Sequence, residues 1–87
     1  MDRSEAHQLA DGELKSIKSG GYALASEHLD TAMLKTVTSA TGATYEIELS
    51  YQWKGAEHEE ILIICRVTTK KWFTHQYIEE SVTLASA

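Results

Sequence analysis

The sequence predicts an α+β domain: an N-terminal helix packed on a four- to five-stranded antiparallel sheet that runs as a meander. Three patterns carry that expectation. Ala6, Ala10, Leu14 and Ile17 recur at helical spacing near the start of the chain. TYEIELSYQW, residues 44–53, alternates without a fault between apolar and polar positions, and ILIICRV, residues 61–67, is apolar in both directions. The first spacing makes one apolar stripe on a helix, the second a half-buried strand, and the third a central strand.

The helix has a start and a stop. Asp2 can cap it with Glu5 three residues on, Lys15 and Lys18 sit late, and Gly20-Gly21 supplies a left-handed end. In the next segment Leu29, Met33 and Val37 are spaced as on a helix, whereas Thr31, Thr36, Val37 and Thr38 favour extended structure. The reading adopted is a strand at about residues 22–26 and another at about 32–38, with a second helix from Asp30 as its rival.

The next strand places Tyr45, Ile47, Leu49, Tyr51 and Trp53 on one face. SATGA before it and KGAE after it suit hairpin connections. In the central strand Ile61, Ile63, Cys65 and Val67 share one face, Leu62 and Ile64 the other. A final strand runs through WFTHQYIEESVTL, with Ile78, Val82 and Leu84 at one parity and a bend or bulge expected near Glu79. One short helix covers one face of such a sheet, so Leu62, Ile64 and Trp72 are candidates for an interface, and a homodimer through the sheet is expected.

The chain reads as a single domain over residues 1–87, with 43% hydrophobic and 24% charged residues, as in ordinary globular proteins. A net charge of −5 disfavours nucleic acid as a partner. The segment TTKKWFTHQY mixes two lysines with aromatics but lacks the glycine-aromatic pattern of a ribonucleoprotein strand. The longest apolar run is the five residues from Ile61 to Cys65, against roughly 20 for a membrane helix. A single cysteine, and an opening MDRSEAHQ without the basic-then-apolar pattern of a signal peptide, point to the cytoplasm.

Chemistry is sparse. His58 and Cys65 lie seven residues apart, about 23 Å along a strand, so they cannot form a thiolate–imidazole pair. Glu57, His58, Glu59 and Glu60 lack the second histidine of a zinc helix, and no metal or cofactor is expected. His28 and Asp30 would share a strand face, but no nucleophile accompanies them. No catalytic set emerges, and the reading leans away from an enzyme.

Two functional readings follow. The first is a non-enzymatic interaction or binding module that meets a protein partner or a second copy of itself. The alternative is a ligand-binding or enzymatic domain with an aromatic-lined pocket between helix and sheet, for which Tyr45, Tyr51, Trp53, His28 and His75 are the candidates. The element order is similar to that of cystatin-like and nuclear-transport-factor-like folds, a likeness of architecture that carries no function.

Overall fold

The computed structural model describes residues 2–55, 59–71 and 74–85, with side chains for all of these except 70, 71, 74 and 75. Helix α1 (Arg3–Ser26) is followed by strands β1 (Ala32–Thr38), β2 (Thr44–Lys54), β3 (Glu60–Lys71) and β4 (Thr74–Ala85). The sheet has the order β1-β2-β3-β4, antiparallel throughout. The helix-on-meander architecture is therefore the one its hydrophobic periodicities encode.

The helix opens as its sequence dictates: the Asp2 carboxylate accepts from the Glu5 backbone N–H at 3.1 Å. It does not end at the glycine pair. Gly21 leaves helical geometry at φ 80°, ψ 179°, a region open essentially to glycine alone, and the chain then resumes helix through Ser26. The expected strand at 22–26 is thus a last helical segment beyond a kink. Ala23, Leu24 and Ala25 are good helix formers, and Ala25 is buried, so packing restores what the glycine interrupts. The rival helix from Asp30 is also absent, since 32–38 is strand.

Two turns set the register of β1. Asp30 N–H donates to the Tyr51 carbonyl at 3.0 Å, and Tyr51 N–H donates to the Thr31 carbonyl at 3.2 Å. This is the bond pattern of a bulge whose first residue is left-handed, and Asp30 has φ 61°. At the other end Ser39 N–H donates to the Ala43 carbonyl, Gly42 N–H donates to the Ser39 carbonyl, and Gly42 takes φ 87°.

β2 and β3 supply the core. Tyr45, Ile47, Leu49 and Tyr51 of β2 and Ile61, Ile63, Cys65 and Val67 of β3 are buried on the face toward α1, against Ala6, Ala10 and Leu14. Complete burial of Ile61 and Ile63 contributes about 1.5–3 kcal/mol each. β4 continues that face with Ile78, Val82 and Leu84, pairing without interruption from Glu60↔Ala85 to Lys71↔Thr74. No bulge occurs at Glu79. The strand stays regular because Glu80, the charged residue at an inward position, is met by the helix rather than being turned away.

The helix is not centred on the sheet. Its backbone runs closest to β3 and β4, its side chains reach β2, and it meets β1 through the Lys35–Glu13 ion pair. The resulting slab measures 42 × 24 × 18 Å, with a radius of gyration of 13.8 Å, against about 12 Å for a compact chain of this length.

Candidate functional site

The five pocket candidates divide into separate places. Tyr45 is buried beneath the start of α1, where its hydroxyl donates to Glu5 Oε1 at 2.8 Å. Burial, and then the hydrogen bond to Glu5, push its phenol up to about 12. Hydrogen bonds from Ser39, Tyr45 and Thr41 in turn hold the Glu5 carboxylate below the usual range. Thr41 donates to Glu5 at 2.9 Å, so the group clasps the helix start to the β1–β2 turn. Its hydrogen bonds join the helix start to the β1–β2 turn and to β2, a structural arrangement.

Tyr51 and His28 do come together, their ring centroids 5.2 Å apart and tilted by 38°. With Ile17, Leu24 and Ala25 they bound a cavity of about 50 Å³. That is room for a water or a methyl group, far below the roughly 300–1,000 Å³ of ligand pockets. Trp53 packs instead with Tyr22 across 6.4 Å. Trp72, the side chain of His75, and His58 lie outside the described residues.

Cys65 is fully buried on the inner face, and desolvation pushes its thiol up to about 11, as expected of a packing cysteine. Among the described residues no three histidine, cysteine, aspartate or glutamate side chains converge as metal ligands.

One titratable cluster was missed by the sequence reading. Glu80 lies on the inner face, 3.5 Å from His7 Nδ1 and beside Asp11. Burial first, and the neighbouring Asp11 carboxylate second, hold the Glu80 carboxyl above its ordinary value. Its signal was a charge at the parity of Ile78, Val82 and Leu84. Asp11, Leu14, Lys15, Lys18, Glu80, Ser81 and Val82 line a shallow groove of about 240 Å³, open to solvent along the β4 edge. Its lining brings together the Asp11 and Glu80 carboxylates, the lysines Lys15 and Lys18, and Ser81.

The remaining surface of note is apolar. Leu62 and Ile64 lie on the sheet face away from α1, where cross-strand pairing sets Ile64 between Ser50 and Ser81, and no helix covers them. Among the described residues, Leu24, Met33, Leu34 and Tyr77 are the large apolar residues left exposed, at 49%, 47%, 67% and 53%. Tyr77 lies beneath the Arg66 guanidinium, 4.8 Å from its ring centre, and Arg66 is held by Glu79. Met33 and Leu34 are successive residues of β1 and therefore project to opposite faces of the sheet.

No protein-family model, curated protein or solved structure matches this chain.

Among the described residues no helix is long and apolar enough to cross a membrane. The geometry thus offers a filled core, a shallow polar groove, and an edge strand with Met33 and Leu34 exposed on opposite faces.

Proposed function

We propose that the chain is a non-enzymatic interaction module that acts as a homodimer through its sheet, working in the cytoplasm. One observation carries this reading: α1 lies mainly over β3 and β4, only Val37 of β1 packs against the core, and Met33 and Leu34 are left exposed on opposite faces of that strand. The accessible surface supports it. At 5711 Å² it exceeds the roughly 5,100 Å² typical of a monomer of 9.7 kDa. A standard interface removes about 800 Å² from each partner, enough to account for the excess.

The pocket reading has weaker support, because Tyr45, Tyr51 and Trp53 are taken up by Glu5, His28 and Tyr22. Sedimentation equilibrium of the chain over a wide concentration range tests the proposal. Twice the chain mass, with a concentration-dependent monomer fraction, is expected; the monomer mass throughout overturns it.

A further inference from the structure

β1 is an edge strand whose backbone pattern can be read from its turns. The Thr31–Tyr51 and Ser39–Ala43 bonds fix the odd-numbered residues of β1 as those facing β2. Backbone groups alternate sides along a strand, so Ala32, Leu34, Thr36 and Thr38 direct their N–H and C=O groups to the open edge. The same four side chains lie on the outer face. Lys35 is the single charge among the seven residues of β1, and it is drawn onto Glu13 of the helix. The guards present, an inward-turned Lys35 and the bulge at Asp30, lie on the inner face and at the first end of the strand. The outer-face run Ala32, Leu34, Thr36 and Thr38 therefore carries neither a charge nor a proline.

We infer that two copies of the chain join edge to edge through β1, antiparallel about a two-fold axis at Leu34, to form one continuous eight-stranded sheet. The inference rests on the homodimer reading and specifies its interface. A second copy fits because an antiparallel edge supplies to itself the donors and acceptors that it lacks, and because this edge brings no acidic residue against its own image in a chain of net charge −5.

The register follows from side-chain chemistry. Pairing centred on Lys35 sets two ammonium groups opposite each other, an arrangement that destabilises. Pairing centred on Thr36 leaves Met33 uncovered and puts Leu34 against Thr38. Pairing centred on Leu34 places Leu34 on Leu34 of the second copy, Ala32 on Thr36, and Met33 beside the aliphatic stem of Lys35. Three hydrogen-bonded residue pairs then form, and both exposed apolar residues of β1 gain cover.

Cysteine crosslinking tests axis and register together, with the native thiol of Cys65 buried. Hydrogen-bonded partners lie about 5.5 Å apart at Cα, within disulfide reach. Under oxidised glutathione Leu34→Cys is expected to crosslink to itself. Ala32→Cys and Thr36→Cys, each some 13 Å from its own image, are expected to crosslink only when mixed. Thr36→Pro is the second arm: its N–H faces the open edge, so proline removes no bond within the chain while blocking the pairing. It is expected to sediment as a monomer with the parental circular dichroism spectrum.

A chain that sediments as a dimer but whose Leu34→Cys variant does not crosslink, or whose Thr36→Pro variant stays dimeric, overturns the edge and leaves the homodimer standing. Self-crosslinking of Thr36→Cys overturns the register. A parental chain that is monomeric throughout removes both proposals.

Discussion

Thr69 is a buried polar residue on the inner sheet face, 8% exposed, and its hydroxyl Oγ1 finds no hydrogen-bond partner among the described residues. An unmatched buried hydroxyl costs about 1–3 kcal/mol, because water's hydrogen bonds are lost and nothing replaces them. Valine has nearly the same shape, shares the β-branched preference for strands, and needs no partner. Thr69→Val is therefore expected to stabilise the fold by about 1–2 kcal/mol. In a domain of this size each kcal/mol moves Tm by about 4–8 °C, so a rise of about 4–16 °C should result. Urea titration followed by circular dichroism, at one fixed protein concentration, should show a higher midpoint with an unchanged slope. Thr83→Val, at an exposed position of β4, serves as control and should stay within about 0.5 kcal/mol of the parent. An unchanged or lowered midpoint for Thr69→Val would refute the reasoning, and would mean that ordered water already satisfies the hydroxyl.

Other substitutions probe other parts of the fold. With its thiol pushed from 9.0 to about 11, Cys65 carries about 100-fold less thiolate near neutral pH than a free cysteine. Its reaction with a disulfide reagent should therefore be at least 100-fold slower in the native protein than in guanidinium, and comparable rates would contradict its burial. Asp30→Val should destabilise the fold by about 1–2 kcal/mol and lower the urea midpoint, since φ 61° is strained for a β-branched residue, while Asp30→Gly should stay within about 1 kcal/mol of the parent, the relief of that strain offsetting glycine's entropy cost. Glu80 titrates above the ordinary glutamate value of 4.5, so its stabilising contribution is complete below that value and is lost as pH rises through the folded-state pKa. Glu80→Gln, neutral at all pH, should accordingly exceed the parent in Tm at pH 7 by more than at pH 4; the opposite trend across a pH series of thermal melts would show the assigned sign to be wrong.

The sequence was readable wherever burial is one-sided. β2 alternates cleanly because one face meets the helix and the other meets solvent, and β3 reads as central because β2 and β4 flank it. β1 alternates weakly for a reason visible only in three dimensions: it lies at the margin of α1, meeting it through Lys35–Glu13 and placing only Val37 against the core, so most of its inner positions are not required to be apolar. Residues 22–26 were misread because the glycine pair does break helical geometry, at Gly21, but Ala25 has a buried seat that draws the chain back into helix. Glu80 was hidden by the same locality. A charge on an inner face looks like a bulge from within its own strand, whereas here His7 and Asp11 arrive from a helix some seventy residues away. That Tyr45, Tyr51 and Trp53 share a face follows from parity alone. Whether they enclose a space depends on Glu5, His28 and Tyr22, which no local pattern links to them.

The placement of α1 over β3 and β4 bears on how the chain is made. The helix precedes the whole sheet in the chain, but the second half of its seat is β4, Thr74–Ala85. Hairpins can form as each strand appears, because every strand pairs with the one before it. The apolar stripe of Ala6, Ala10 and Leu14 has no complete cover until β4 is released, so the core closes in one late step and an interrupted chain leaves that stripe in water.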